Sequence, residues 1–284
     1  KGGLQRTEKD WNLVRIALRH LGRDDIVYCA HNNLFWIPIL KKLRLVGCKI
    51  VGQLFSKEHL RLAGAYEGMI AHTPTAKEYL SEICPKAHCA FIPWGMDLDF
   101  FSRQSFEPKW FLSTGKTHRD PQVIIEAFRT TPQTVRILHP NPEKFANTPK
   151  NILVESDQVA GENIYLQLVQ TYYHYAAATI VALSPDPTCQ FAAGITNLLE
   201  SMACGRPVIV TRTGALSKTI DVERMGIGYF VDPSDPQSMR DAVKHLLENQ
   251  NQARAFGLRG RQLCEEYYNI DRFADDLHGF FEGL

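Results

Sequence analysis

The sequence predicts an α/β protein with two domains, each built on a parallel β-sheet. Short apolar segments typical of buried strands alternate with amphipathic segments typical of helices, an order that produces βαβ units and parallel sheets. This alternation occurs twice, because the segment 93–108, which is rich in turn-forming residues, interrupts it as a linker would. The simplest architecture is two similar halves that face each other across a cleft.

Length and composition agree with this class. A chain of 284 residues is too long for one ordinary core and suits two domains. Its formal net charge of +1 argues against a nucleic-acid-binding protein that relies on a strongly basic surface. No apolar run approaches the roughly 20 residues that a membrane-spanning helix needs. Because the chain opens on Lys1-Gly2-Gly3, without a methionine or a signal-peptide pattern, we expect that its natural N-terminus is missing.

The cysteines indicate a reducing environment. There are seven, an odd number that cannot pair completely, and they are scattered without a C-x-x-C motif. No two pairs of cysteine or histidine residues stand at the spacing of a zinc site. We therefore expect reduced core thiols in a cytoplasmic protein.

The first half contains four strand–helix alternations. Strands are expected at residues 25–30, 49–55, 68–72 and 89–93, and helices at residues 10–21, 35–45, 57–65 and 74–83. Open parallel sheets bind ligands at the carboxyl ends of their strands. His31 and the segment 53–55 occupy such positions and are candidates for ligand contacts.

The second half repeats the pattern. Strands are expected at residues 110–114, 134–139, 151–155, 179–184, 208–211 and 228–231, and helices at residues 121–128, 162–175, 236–247, 252–268 and 271–281.

The segment 190–205, QFAAGITNLLESMACG, is the centre of the second half. Ile195, Leu198, Leu199 and Met202 have the spacing of one apolar helix stripe, whereas Thr196 and Glu200 share another face. The small residues 192–194 precede this helix, so its first N–H groups are accessible to an anion. Glu200 can accept hydrogen bonds from vicinal hydroxyls of a ribose. Together these features predict a nucleotide-sugar pocket; a packed helix with a solvated Glu200 is the alternative.

Four segments form a recognisable set: FIPWGMDLDFF at 91–101, GKTHRDPQVIIEAF at 115–128, the segment 190–205, and GIGYFVDPSD at 226–235. This set resembles the retaining glycosyltransferases of family 4, which have the GT-B fold. The likeness covers most of residues 68–284. The first 67 residues match in rhythm only, and the opening strand of the family with its glycine-rich loop is absent, so the chain resembles an N-terminally truncated member.

The resemblance implies a retaining, metal-independent transferase that moves a sugar from a UDP- or GDP-sugar to an unnamed saccharide, lipid or small molecule. Residues 98–270 would form the donor-binding domain, and residues 1–97 an incomplete acceptor-side domain on which the helix 271–284 packs. No cofactor is implied beyond the donor itself. In the retaining chemistry of the family the leaving phosphate helps to deprotonate the acceptor, so no protein nucleophile is required.

The resemblance also assigns candidate site residues. Lys116 falls on the diphosphate-binding arginine of the family and Arg119 on its lysine; exposed loop cations are the alternative for both. Glu200 falls on the second glutamate of an E-x7-E motif, which holds the donor ribose. Four further residues are expected to line the donor pocket, chiefly through their backbone: Gly115, Gly194, Ile195 and Thr196.

Two positions depart from the family. The first glutamate of the E-x7-E motif is replaced by Ala192, so Gln190 is a candidate substitute, or sugar recognition has changed, or activity has lapsed. The histidine often found at the end of the second strand is also absent, and His31 and His59 are the nearby candidates. His31 is expected to contact the sugar or acceptor, with a structural role as the alternative.

Several alternatives remain open at this stage. The D-x-D at Asp97 and Asp99 would bind a divalent metal in the other large glycosyltransferase fold, but its place in the interdomain segment does not favour a metal site. The basic run 41–44, with Lys49, is expected to be a solvated helix face, or else a peripheral contact with anionic lipid. A nucleotide-sugar epimerase and an inactive nucleotide-sugar-binding subunit are the alternative functions, and Ala192 favours the second.

Overall fold

The structure is a computed structural model of the chain. It describes residues 12, 14–29, 36–54, 62–104, 106–115, 117–156, 168–185 and 191–284. The chain divides into two compact units, Lys1–Pro93 with Asp276–Leu284, and Trp94–Asp275. Each unit contains one fully parallel sheet. The predicted α/β class with two parallel sheets is therefore confirmed.

The sheet of the first unit has four strands in sequential order. These are β1 (Ile26–Cys29), β2 (Lys49–Leu54), β3 (Gly68–Ala71) and β4 (His88–Phe91). The helices are α1 (residues 14–20), α2 (Trp36–Lys42) and α3 (Pro74–Ile83). Of the helix expected at 57–65, residues 57–61 lie outside the described residues, and Ala63–Ala65 form only a 3-10 turn.

The end of the chain also belongs to the first unit. The last helix, α9 (Ile270–Glu282), brings Phe280 against the sheet, where it is buried and its ring centroid lies 5.2 Å from that of His88. A Cβ on Gly68 would lie 2.8 Å from Cζ of Phe280, so this contact requires a glycine in β3. Lys49 Nζ donates to the backbone oxygen of Leu284 at 2.9 Å.

The sheet of the second unit has six strands in the order β10-β9-β8-β5-β6-β7. These are β5 (Trp110–Ser113), β6 (Val135–His139), β7 (Ile152–Ser156), β8 (Ala176–Val181), β9 (Val208–Thr211) and β10 (Gly228–Val231). The helices are α4 (Pro121–Phe128), α5 (Ile195–Ala203), α6 (Gly214–Thr219), α7 (Pro236–Glu248) and α8 (Gln250–Tyr267). The strand order reverses between β5 and β8, and this is where such sheets bind ligands.

The apolar stripe predicted for α5 is confirmed. Its four residues are at most 3% exposed and pack on the sheet. The outer side of the helix lies against α8, where a Cβ on Gly257 would approach the backbone oxygen of Gly205 to 2.1 Å. Close packing from both sides holds α5 in a fixed position, which matters because α5 carries Glu200.

Two elements of the second unit differ from the prediction. The described part of the helix expected at 162–175 is a π-helix, Leu168–Tyr173, and β8 begins at Ala176 instead of residue 179. The helix α6 was not predicted, because it is six residues long and buries only Leu216. Thr213 caps its N-terminus by accepting from the Leu216 N–H.

The six described cysteines are free thiols and five of them are buried, as predicted; Cys189 lies outside the described residues. Within the described part of the chain, no helix is long and apolar enough to cross a membrane.

Candidate functional site

The candidate site lies at the carboxyl end of β5 in the second unit. Residues 114, 115 and 117–119 follow β5 there, and the N-terminal half of α5 faces them. Both segments stand where the strand order of the sheet reverses, the position at which open α/β sheets leave a crevice.

Glu200 is the buried carboxylate of this site, only 5% exposed. Its Oε2 atom accepts a hydrogen bond of 2.5 Å from the Tyr173 hydroxyl and one of 3.2 Å from Asn197 Nδ2. Burial raises the pKa of Glu200, whereas these hydrogen bonds and the positive charge of Arg119 lower it. The alternative of a solvated Glu200 is therefore wrong.

Tyr173 and Thr114 extend this network. The Thr114 Oγ1 atom accepts from Asn197 Nδ2 at 2.7 Å and lies 3.0 Å from the Tyr173 hydroxyl oxygen. Since Tyr173 has one hydroxyl proton and gives it to Glu200, Thr114 is the donor in this contact. Burial raises the pKa of Tyr173 well above its ordinary value, so its hydroxyl remains a donor at physiological pH.

Arg119 is anchored inside the turn. Its Nε donates to the backbone oxygen of Thr114 at 3.0 Å, its Nη1 to that of Thr117 at 2.8 Å, and its Nη2 to Asn197 Oδ1. The sequence predicted a cation directed at a diphosphate. In the structure, three of its five N–H groups donate to acceptors of the protein.

Gly115 makes room for this arrangement. Its φ is +97°, and a Cβ at this position would lie 2.4 Å from Arg119 Nη2 and 2.5 Å from Asn197 Oδ1. A side chain would therefore occupy the space through which Arg119 reaches Asn197. Gly115 directly follows Thr114 after β5, and its lack of a side chain leaves space for this contact.

The start of α5 contains three more of the predicted residues. Gly194 caps the helix with φ +84°, and no side chain caps it. The Ile195 side chain is core, only 3% exposed, and its N–H already donates to the Ala192 oxygen at 3.3 Å. Thr196 is exposed, whereas the other two predicted residues at this helix start are buried.

Three predicted residues, Lys116, His31 and Gln190, lie outside the described residues. Ala192, at the position of the missing glutamate, is partly buried and packs against the core around α5.

Asn197, Tyr173 and Thr114 were not predicted. Asn197 stands three residues before Glu200 on the same helix, a spacing that brings side chains together and could have identified it. Tyr173 is 27 residues distant from Glu200, at the end of the π-helix, so no local signal marks it.

A second polar chain crosses the carboxyl ends of the four strands in the first unit. The Tyr28 hydroxyl donates to Gln53 Oε1, Gln53 Nε2 contacts His72 Nε2, and His72 Nδ1 lies 2.8 Å from the Ile92 oxygen. Because His72 is 1% exposed, burial lowers its pKa to about 4. His72 is therefore neutral and donates from Nδ1 to the carbonyl. The sequence pointed to His31 and His59, which both lie outside the described residues, and did not single out His72, the last residue of a predicted strand.

Residues 165–263 match the family model described as glycosyl transferases group 1. The chain is 37% identical over 110 residues to the D-inositol 3-phosphate glycosyltransferase of Corynebacterium jeikeium, which is 39% of this chain and 25% of that protein. It is 30% identical over 114 residues to a GDP-mannose-dependent alpha-(1-6)-phosphatidylinositol monomannoside mannosyltransferase of Mycobacterium tuberculosis, 39% of this chain and 29% of that protein.

Among solved structures, HepE of Anabaena in complex with UDP-glucose matches with a TM-score of 0.76 and 12% identity, covering 97% of this chain and 82% of that one. The chain matches 25% and 29% of the length of the two curated relatives, so the likeness to them is regional. Within residues 165–263 the sequence is similar to glycosyl transferases group 1, and the two parallel-sheet units share the GT-B fold of the solved glycosyltransferases they match.

Proposed function

We propose that the protein transfers a sugar from a UDP- or GDP-sugar to an acceptor hydroxyl, with retention of anomeric configuration and without a metal. The observation that carries this proposal is the buried Glu200 carboxylate, held by Tyr173 and Asn197 at the reversal point of the second sheet. A buried carboxylate costs free energy unless its hydrogen bonds are satisfied, so a fixed one in a ligand crevice indicates a binding role.

Glu200 is assigned to the donor ribose. Within the described residues, both hydrogen bonds to this carboxylate end on Oε2, so Oε1 is the oxygen that we assign to the vicinal hydroxyls. A carboxylate oxygen accepts hydrogen bonds strongly from hydroxyl groups. The GDP-mannose dependence named for the mycobacterial relative and the UDP-glucose bound to HepE support a nucleotide-sugar donor.

The phosphates are assigned to Lys116 and to the uncapped start of α5, at the N–H groups of Gly194 and Thr196. A helix N-terminus presents N–H groups and a partial positive charge to an anion. Thr196 adds an exposed hydroxyl beside these groups. Lys116 carries the cation that a departing diphosphate needs.

The metal-free part of the proposal is supported by the role of Asp97. Its Oδ1 atom accepts from the N–H groups of Asp99 and Phe100, at 3.1 and 2.9 Å, so the D-x-D forms a turn. We assign the neutralisation of the diphosphate to protein groups.

The acceptor is assigned to the first unit, where the chain of Tyr28, Gln53 and His72 lines the carboxyl ends of the strands. Its chemical identity is limited to a hydroxyl-bearing molecule. Neutral His72 and the Tyr28 hydroxyl suit an uncharged hydroxyl better than an anion, because neither brings a positive charge to this site.

Peripheral contact of a cytoplasmic protein with anionic lipid is a further part of the proposal. Leu43 and Leu45 are 62% and 56% exposed within the exposed basic segment 42–45. Lys41 instead pairs with Glu67, and Lys49 donates to the chain terminus, so two cations of the predicted run point inward. Sedimentation with vesicles containing phosphatidylserine tests this contact; no binding beyond that to neutral vesicles would remove it.

A nucleotide-sugar-binding subunit without activity is the second candidate. The observation that favours it is Ala192, which packs against the core where the family places a carboxylate near the transferred sugar. An alanine offers that sugar no hydrogen bond.

The test is an assay of the purified protein with a panel of UDP- and GDP-sugars, with and without EDTA. Release of nucleoside diphosphate from one donor, retained anomeric configuration in the product and survival in EDTA are expected. Glu200→Gln should lose donor binding by about tenfold or more, because it removes a charged hydrogen bond. Donor binding without turnover would favour the inactive subunit, and no nucleotide binding at all would overturn both functions.

A further inference from the structure

We infer that Thr114 is a positioning residue, whose hydroxyl closes a ring of four side chains and thereby holds Glu200 in its ribose-binding orientation. This inference rests on the proposed function, because it takes Glu200 as the group that binds the donor ribose. Thr114 is only 3% exposed, so its side chain acts on a ligand through the side chains that it contacts.

The ring consists of Thr114, Tyr173, Glu200 and Asn197. The Tyr173 hydroxyl donates to Glu200 Oε2 at 2.5 Å, and Asn197 Nδ2 donates to the same oxygen at 3.2 Å. On the other side of the ring, Thr114 Oγ1 accepts from Asn197 Nδ2 at 2.7 Å and lies 3.0 Å from the Tyr173 hydroxyl oxygen. Thr114 therefore contacts both of the groups that donate to Glu200.

The directions of these hydrogen bonds follow from the chemistry of the side chains. Asn197 has two N–H groups on Nδ2, one for Thr114 and one for Glu200, because its Oδ1 atom accepts from Arg119. Tyr173 gives its only hydroxyl proton to the carboxylate. The Thr114 hydroxyl, which accepts from Asn197, then donates to the Tyr173 oxygen. Each contact of the ring thus pairs one donor with one acceptor.

The pKa values of two ring members agree with these directions. Burial raises the pKa of Tyr173 well above its ordinary value, whereas the hydrogen bond with Thr114 lowers it, as expected when Thr114 is the donor. Burial also raises the pKa of Glu200, whereas the hydrogen bonds from Tyr173 and Asn197 lower it. Because Thr114 holds both donors, loss of its hydroxyl should weaken both bonds and raise the pKa of Glu200 further.

Without the Thr114 hydroxyl, the ring opens at two contacts. One N–H group of Asn197 loses its acceptor, and the Tyr173 oxygen loses its donor, in a site where water has little access. Buried polar groups without partners cost free energy, so both side chains would turn toward other partners and away from Glu200. The ribose would then meet a carboxylate that is no longer fixed, so nucleoside affinity should fall.

Thr114 also connects the ring to the cation of the loop after β5. Its backbone oxygen accepts from Arg119 Nε at 3.0 Å, whereas its side chain belongs to the ring. A substitution of the side chain leaves this backbone contact in place, so the contribution of the loop to diphosphate binding should be retained. Substitution at this one residue therefore separates the ribose from the phosphates.

The experiment measures the binding of uridine, UDP, guanosine and GDP by calorimetry for the wild type, Thr114→Val and Thr114→Ser. Valine keeps the branched shape of threonine and replaces the hydroxyl by a methyl group, whereas serine keeps the hydroxyl. Thr179→Val is the matched control. Thr179 is a buried threonine of β8, and its Oγ1 atom has no hydrogen-bond partner among the residues that the structure describes.

We expect Thr114→Val to weaken the nucleoside and its diphosphate by the same factor, about five- to tenfold, which corresponds to the loss of one buried hydrogen bond. The diphosphate-to-nucleoside affinity ratio should stay unchanged. Thr114→Ser should restore most of the wild-type affinity, and Thr179→Val should bind as the wild type does.

The pH dependence of nucleoside affinity separates positioning from a general loss of structure. Affinity of the wild type should fall in acid, where Glu200 becomes protonated and loses its negative charge. In Thr114→Val this fall should begin at a higher pH, because the pKa of Glu200 is raised, and in Thr114→Ser it should return to the wild-type range. Arg119, whose charge also lowers the pKa of Glu200, is present in all variants.

Several outcomes would overturn the inference. Unchanged nucleoside affinity and pH profile in Thr114→Val, or no recovery in Thr114→Ser, would do so and leave the proposed function intact. A loss confined to the diphosphates would show that Thr114 acts on the loop and not on Glu200. If the wild type binds none of the four compounds, the proposed function fails, and the inference fails with it. Melting temperatures identify a variant that does not fold, and Thr114→Ala, which adds no bulk, then replaces Thr114→Val in the same measurements.

Discussion

The hydroxyl of Tyr173 donates a 2.5 Å hydrogen bond to Glu200 Oε2. This bond joins a π-helix to α5, the helix that carries the candidate ribose-binding carboxylate. Both side chains are buried, Tyr173 completely. Water therefore has little opportunity to replace the phenol if it is removed. This relationship places part of the candidate site in a segment that no motif identifies.

Tyr173→Phe should weaken nucleotide binding by about tenfold, because it removes a hydrogen bond to a buried carboxylate. Calorimetry with UDP and GDP measures the change. Tyr267→Phe is the matched control, since Tyr267 is 53% exposed on α8. Equal affinities for the wild type and Tyr173→Phe would show that Tyr173 does not support Glu200.

Gly115→Ala should lower nucleotide affinity and reduce the melting temperature. The added Cβ would lie 2.4 Å from Arg119 Nη2 and 2.5 Å from Asn197 Oδ1, closer than van der Waals contact allows. The backbone at this position also has φ +97°, which strains any residue except glycine. Gly226→Ala separates the effect of backbone strain from that of crowding. Gly226 also has a positive φ, +67°, but a Cβ there would have nothing within 4 Å. If both variants lose the same stability and neither loses affinity, the crowding at Gly115 has no functional consequence.

The sequence predicted the framework of this site better than its internal connections. The apolar stripe of α5 follows from spacing alone, since four residues at helical intervals must share one buried face. Glu200 was identified because it belongs to a motif. The contact of Arg119 with Asn197 could not be predicted, because the hydrogen bonds of a turn depend on a helix that follows about 80 residues later. Tyr173 lies in a π-helix, which periodicity does not predict.

Lys116→Ala should weaken UDP or GDP binding at least tenfold and leave uridine and guanosine binding unchanged. A cation close to phosphate contributes a charge-assisted hydrogen bond worth about 1.5–3 kcal/mol. The comparison with nucleosides assigns the loss to the phosphates. Calorimetry that finds no loss of diphosphate affinity would remove Lys116 from the site and leave the start of α5 as the anion-binding group.

His72 should make the protein less stable in mild acid. Its pKa is lowered by burial to about 4, from 6.5 in the unfolded chain, so the unfolded state binds the additional proton between these pH values. The contribution of neutral His72 to the free energy of unfolding is fully present above pH 6.5. It decreases as the pH falls toward 4, by up to about 3 kcal/mol. Urea unfolding of the wild type and His72→Gln at several pH values measures this dependence.

The His72→Gln variant should show a weaker dependence of unfolding free energy on pH between 6.5 and 4. His278→Gln, at a side chain that is 73% exposed, is the control and should retain the wild-type dependence. Identical pH dependence in His72→Gln and the wild type would mean that His72 does not titrate with a lowered pKa.

The last prediction concerns the alanine at position 192. If the protein is an active transferase, a neutral group must replace the family glutamate near the transferred sugar, and the rate should be lower than a carboxylate would allow. One lost charge-assisted contact costs about 1.5–3 kcal/mol, or roughly ten- to a hundred-fold in rate. Ala192→Glu should therefore increase turnover of at least one donor. Because Ala192 packs partly against the core, the variant must first be shown to melt as the wild type does.

Gln190→Ala, assayed beside Ala192→Glu against the same panel of UDP- and GDP-sugars, tests whether Gln190 is the substitute. Its amide can donate and accept hydrogen bonds, so it could hold sugar hydroxyls without the negative charge. Unchanged turnover in Gln190→Ala would exclude Gln190 from this role. A wild type that turns over no donor, together with an Ala192→Glu variant that does, would identify the natural protein as a donor-binding subunit that lacks one carboxylate for catalysis.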